Sequence, residues 1–266
     1  MLNKMLKIKA IPLLVVSFLS LCFVTSLSVA DDHGGEQQAG PRISAIESYY
    51  CSYAKNKDMD DLLKTAAIWD DWADDNFPAA YTAYVLSPVV TTEADFPFDL
   101  VWLGVAKNQQ TLGKINDAWL AKGADMAKKF DAVTPCNSHG YLTSIEARPY
   151  PNLGQMGYLQ IQACQYNEGK TLADVMAADM KWTAWMDENG MPGGIYRWIP
   201  SIGSPRADKT NFFNVYITDS LAQRGQAHDM MLNGGFAVRD AMYNDIAVCD
   251  NPRIWHAQPV GGKSAS

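Results

Sequence analysis

Basic residues are scarce in this chain: 22 Lys and Arg stand against 29 Asp and Glu, a formal charge of −7. No basic stripe interrupts that excess, and an acidic surface repels phosphate backbones, so nucleic acid is not expected as a partner. Long apolar runs are scarce as well. One extends from Ile11 to Val24, and no later run is long enough to cross a membrane. The phosphate-cradling Gly-x-x-x-x-Gly-Lys-Ser/Thr loop, Gly-x-Gly-x-x-Gly, the Gly-x-Ser-x-Gly elbow and the His-Glu-x-x-His helix are all missing. Their absence disfavours a nucleotide enzyme, a serine hydrolase or a zinc protease. There is no Cys-x-x-Cys pair either, which argues against a four-thiolate metal site.

What is present begins with an export leader. Lys4, Lys7 and Lys9 precede the apolar run, and Ser28-Val29-Ala30 supplies a small-x-small cleavage site. Residues 1–30 therefore read as a signal peptide, and the protein as periplasmic or secreted. Cleavage removes three lysines and no acids, which leaves 22 − 3 = 19 basic and 29 acidic residues, a charge of −10. The new N-terminus, Asp31-Asp32-His33, resembles the amino-terminal copper and nickel motif. Its amine, two amide nitrogens and the His33 imidazole suit a square-planar Cu(II) or Ni(II) ion. Residues 31–42 and 259–266 read as flexible tails.

The strongest signal lies between those tails. Shifted by 113 residues, the window Cys51 to Asn76 matches its own continuation at eight of 26 positions. The matches include Cys51/Cys164, Trp69/Trp182 and Trp72/Trp185. Residues 43–150 and 151–258 are thus expected to be two copies of one structural unit. Four cysteines follow the leader, an even number in an exported chain, and they allow three pairings. The equal spacings 136 − 51 = 85 and 249 − 164 = 85 favour Cys51–Cys136 and Cys164–Cys249.

Periodicity within the first copy predicts a strand over Ile43–Tyr53 and a helix over Asp58–Asp75. Strands over Ala80–Val90 and Phe98–Ala106 follow, then a helix from Gln110 to Lys122 that continues irregularly to Phe130, then a strand over Gly140–Ala147. The second copy predicts Gly157–Gln165, Leu172–Glu188, Ile195–Ser201, Phe212–Thr218, Leu221–Leu232 and Arg253–Gln258 in the same order. That order, β-α-β-β-α-β, is the ferredoxin-like unit. Its first and last strands are antiparallel neighbours, which brings Cys51 near Cys136 and Cys164 near Cys249.

With this element order and duplication, residues 43–258 resemble the dimeric α+β barrel superfamily in its tandem, single-chain form. The resemblance implies an α+β fold in which two ferredoxin-like sheets cover each other's open faces. It spans cofactor-free monooxygenases, muconolactone isomerases, NIPSNAP-like and EthD-like proteins, and haem enzymes such as chlorite dismutase. Fold alone does not choose among them.

Positions that differ between the copies are candidates for a site. Asp179 replaces Ala66 on the apolar helix face formed by Val175, Trp182 and Met186. A buried carboxylate there calls for a counter-charge, which Arg197 can supply. Asp179, Arg197, Trp182 and Trp198 are therefore the expected ligand-binding set. Asp179 and His228 are the residues expected to move a proton if a reaction occurs. His228 stands where the first copy has Asn116, and the haem-binding branch of the superfamily would offer it as an iron ligand. His139 and His256, with Tyr141 and Trp255, could line one mouth of the barrel. No cofactor is expected, haem and N-terminal copper or nickel being the alternatives. The first expectation for function is binding of a small, largely apolar molecule. The second is a cofactor-independent monooxygenase or isomerase. The third is a structural or interaction role in the cell envelope.

Overall fold

The computed structural model describes residues 41–93 and 96–261. The leader, His33 and residues 262–266 lie outside them. The element order is β1 (Ile43–Cys51), α1 (Met59–Asn76), β2 (Tyr81–Val90), β3 (Leu100–Ala106), α2 (Gln109–Lys122), α3 (Ala124–Asp131) and β4 (Cys136–Arg148), then β5 (Gly157–Tyr166), α4 (Leu172–Glu188), β6 (Gly194–Ile202) and β7 (Phe212–Thr218). After these come α5 (Leu221–Met230), a kinked turn (Met231–Gly235), α6 (Phe236–Tyr243), β8 (Ala247–Cys249) and β9 (Arg253–Gly261).

The helices start where side chains satisfy their first amides. Asp58 Oδ1 accepts from Asp61 N at 3.2 Å ahead of α1, and Asn108 Oδ1 accepts from Thr111 N at 2.9 Å ahead of α2. Asp174 reaches back to the Thr171 amide at 2.8 Å at the start of α4. Leu62, Ala66, Trp69 and Ala73 form the buried stripe of α1, and Val175, Ala178, Asp179, Trp182 and Met186 that of α4.

All strand pairs are antiparallel. In the first half the sheet order is β4-β1-β3-β2, and in the second it is β9-β5-β7-β6, with β8 on the outer part of β5. Pairing of β4 with β6 and of β2 with β9 joins the two sheets, and β5 with β7 completes the closed eight-stranded ring. Closure removes the exposed edges that an open sheet would carry.

Strand alternation then gives two environments. Ile46, Val101, Leu103, Tyr196, Trp198, Val215 and Trp255 pack together across both halves and fill the barrel interior. Their alternates, such as Ala45, Leu100, Trp102 and Ile195, pack under the helices. Both expected cystines are formed, Cys51–Cys136 and Cys164–Cys249. In each the two residues are direct cross-strand partners, β1 with β4 and β5 with β8.

Three expectations change. β4 begins at Cys136 rather than Gly140, because β1 pairs with it along its full length. The second helix of the second half is followed by a further helix: the chain leaves helical geometry at Asn233 and Gly234, just past the expected end at Leu232, and α6 begins at Phe236. β9 continues to Gly261, into the expected tail, because β2 offers it partners from Leu86 to Ala83.

Candidate functional site

Two cavities lie between the outer face of the sheet and the helices, one in the first half and one in the second. The first-half cavity measures about 390 Å³. Trp69, Phe77, Trp102, Trp119 and Phe130 line it, together with the cystine Cys51–Cys136. Its charged lining residues are Glu47 and Asp131, with His139 beside them and neither Lys nor Arg.

Glu47 is the chemical centre of this cavity. It sits on β1 on the same face as Ala45, Tyr49 and Cys51, and is only 4% exposed. Three side chains from distant elements converge on its carboxylate. Tyr81 donates to Oε1 at 2.6 Å, Asn116 donates to Oε2 at 3.0 Å, and His139 Nε2 lies 3.2 Å from Oε2. Trp102 Nε1 in turn donates to the Tyr81 hydroxyl at 3.3 Å. Tyr81 reaches Glu47 by crossing over Gly104, where a Cβ would collide with its hydroxyl. Tyr49 stacks flat on His139, with ring centroids 3.8 Å apart. Burial first, and the Glu47 charge second, push the Tyr49 and Tyr81 phenols far above their ordinary value. Both hydroxyls therefore stay protonated, and that of Tyr81 donates to Glu47. The His139 side chain is 35% exposed, so the network runs from a dry carboxylate to the cavity rim.

The second-half cavity measures about 600 Å³. Trp182, Met186, Arg197, Phe212, Arg224 and His228 contribute to its walls. The Asp179–Arg197 pair expected from the sequence is formed, and both residues are buried. Arg197 Nε meets Asp179 Oδ2 at 3.1 Å, Nη2 meets Oδ1, and Tyr243 donates to Oδ1 at 2.6 Å. Asn214 accepts from Arg197 Nη1 and is itself held by Gln162 at 3.0 Å. Such a carboxylate is matched by a buried positive charge, the geometry of a structural ion pair.

The other expected site residues separate. Trp182 lines the second-half cavity, but Trp198 follows Arg197 on β6, points to the opposite face and belongs to the barrel interior. The grouping of Trp198 with Asp179 is thus corrected by strand alternation. Tyr141 does meet His139, ring centroids 5.1 Å apart, but on the helix side, whereas Trp255 lies in the interior, so the four residues do not line one barrel mouth. His256 lies instead against Tyr158, ring centroids 5.3 Å apart. His228 is exposed, with its ring edge against Phe236 at 5.7 Å. A metal-bound histidine normally donates its second nitrogen to a fixed acceptor. None holds His228 among the described residues, so its surroundings do not fit an iron ligand. No group of three or more metal-ligating side chains occurs among the described residues.

Glu47, Tyr81 and Asn116 were not singled out from the sequence. The signal for Glu47 was there: four residues before the cystine, the first copy has Glu47 and the second has Gln160.

No protein-family model and no curated protein sequence matches the chain. Solved structures do share its fold. An anthrone oxidase-like protein superposes with a TM-score of 0.53 at 10% identity, covering 86% of this chain and 95% of that one. A chlorite dismutase variant from Candidatus Nitrospira defluvii gives 0.49 at 8% identity, covering 84% and 94%. The chain is thus similar in fold to dimeric α+β barrel proteins.

Proposed function

We propose that the first-half cavity binds a small, largely apolar, planar molecule and that Glu47 removes a proton from it. The observation that carries this reading is a nearly dry carboxylate, oriented by Tyr81, Asn116 and His139, in an aromatic-lined cavity. Trp119 and Phe130 supply faces for a ring to pack on. Tyr81 and Asn116 hold the carboxylate in one rotamer, which keeps it poised without a conformational search. His139, next to Glu47 and open to the rim, passes the proton to water.

The reaction class is a cofactor-independent oxygenase or isomerase acting on an activated aromatic ketone or phenol. The fold likeness to the anthrone oxidase-like protein is compatible with that class. The repeated element order supports a tandem duplication as the origin of the two halves, which have since diverged in their cavities. The leader over residues 1–30 and the two cystines support action in the periplasm or outside the cell.

Anthrone serves as the first probe, with binding read from tryptophan fluorescence and turnover from oxygen uptake. Glu47→Gln is expected to keep binding within a few-fold and to reduce turnover at least about hundredfold, the usual contribution of a general base. Trp119→Ala is expected to weaken binding about tenfold. Unchanged oxygen uptake in Glu47→Gln would remove the carboxylate from the reaction.

A further inference from the structure

The second-half cavity repeats the position of the first with its charge inverted. Four residues before each cystine, on the first strand of each half, Glu47 is replaced by Gln160. Where Glu47 gathers neutral donors, Gln160 Oε1 instead accepts from Arg224 Nε at 3.0 Å. Arg224 is half-buried on α5, and its side chain bonds through Nε, which leaves its paired Nη groups without an acceptor among the described residues. Its charge is felt inside the cavity. Burial pushes the Tyr216 phenol up to about 12, and the Arg148 and Arg224 guanidinium groups act in the opposite direction.

The lining as a whole is cationic in an acidic protein. Arg197, Arg224 and Arg239 contribute, against Asp250, which is tied to Arg253 Nη1 and to the Ala163 amide. Of these, Arg197 is neutralised by Asp179, and Arg239 bonds Asp240 on its own helix. Arg224 is thus the guanidinium whose fork is left for a ligand. Trp182, Met186, Phe212 and Phe236 supply apolar wall beside it. The kink between α5 and α6, with Gly234 at φ 117°, leads the chain from Met231 to Phe236, both of which line the cavity.

We propose that this second cavity is a binding site for an amphipathic organic anion, a carboxylate held by the Arg224 fork with its apolar body against Trp182 and Phe236. A planar two-point fork matches a carboxylate better than a point charge does. The site is independent of the proton-transfer reading for the first half.

The test is calorimetric titration of the full, disulfide-bonded chain with 2-naphthoate and with neutral 2-naphthamide. Naphthoate is expected to bind at least tenfold more tightly than the amide. Arg224→Gln should abolish that preference while leaving amide binding and the melting temperature unchanged. Arg224→Lys, which keeps the charge but not the fork, should fall between the two. A preference that Arg224→Gln removes belongs to the second cavity, since Arg224 does not line the first. Equal affinity for the two probes, no naphthoate binding at millimolar concentration, or a preference that survives Arg224→Gln would each overturn the proposal.

Discussion

Two buried carboxylates, Asp179 and Glu47, differ in what surrounds them, and this divides their roles. Asp179 is matched by a full positive charge in a two-point contact and by a tyrosine hydroxyl. Removing it would leave the Arg197 guanidinium buried without a counter-charge. Asp179→Ala is therefore expected to cost about 3–5 kcal/mol in urea unfolding. Much of that should return when Arg197→Met is added, because the uncompensated charge is then gone. Glu47 has neutral donors and a rim histidine instead, an arrangement that holds a base without neutralising it. Gly104→Ala should displace Tyr81 from Glu47 and impair turnover more than stability. Normal turnover in that variant would show that Tyr81 does not orient the carboxylate. Asp179 could be picked out from the sequence because it breaks an apolar helix face. Glu47 could have been found from its mismatch with Gln160, but its partners Tyr81, Asn116 and His139 are 34, 69 and 92 residues away.

Among the elements, the regular helices follow their local signals closely, and the irregular segment at the end of the second half does not. Asn108 caps α2 through the Thr111 amide, and Asn108→Ala is expected to lower stability by about 1 kcal/mol, read as a shift in the denaturation midpoint. Asn233-Gly234-Gly235 reads as a helix stop, and the backbone does leave helical geometry at Asn233 and Gly234; α6, which starts again at Phe236, was missed. α5 is tied to the β4–β5 connection by Asp219. Its carboxylate accepts from Asn152 Nδ2 at 2.7 Å, from the Tyr150 hydroxyl and from Gln223 Nε2 at 3.3 Å. Hydrogen bonds from Asn152 first, then Tyr150, hold Asp219 below its ordinary carboxylate value of 3.8. A carboxyl whose folded pKa is lowered stabilises the fold above its unfolded pKa, and that contribution is lost as pH falls through the folded value. Stability should therefore fall below about pH 4, and Asp219→Asn should flatten that acid limb. An unaltered pH profile in the variant would count against the link.

For the molecule as a whole, the two cystines and barrel closure act on different parts of the free-energy balance. Each cystine joins residues 85 apart and limits the unfolded chain. Closing a loop of that length is worth roughly 4–5 kcal/mol by loss of unfolded-state entropy. The double variants Cys51→Ser/Cys136→Ser and Cys164→Ser/Cys249→Ser should thus show similar losses in urea unfolding. A large inequality would mean that native-state contacts, not loop length, set the cost. Closure acts in the folded state, where the interior cluster draws residues from both halves. Neither sheet alone would bury Leu103 or Trp198 in that way.

The main strands and helices and the cystine pairing were legible in the sequence because both leave regular spacings there. Helical and strand periodicity is written over a few turns, and the equal spacing of 85 residues selects one pairing of four cysteines. The cavities were not legible in this way. Side chains from both sheets pack together in the barrel interior, and the two cavities lie under the helices. Which residues face that space depends on strand register, and a shift of one residue exchanges the two faces. Register and closure bring Glu47, Tyr81, Asn116 and His139 together from four separate elements, so their convergence is a property of the packed barrel rather than of any segment of the chain.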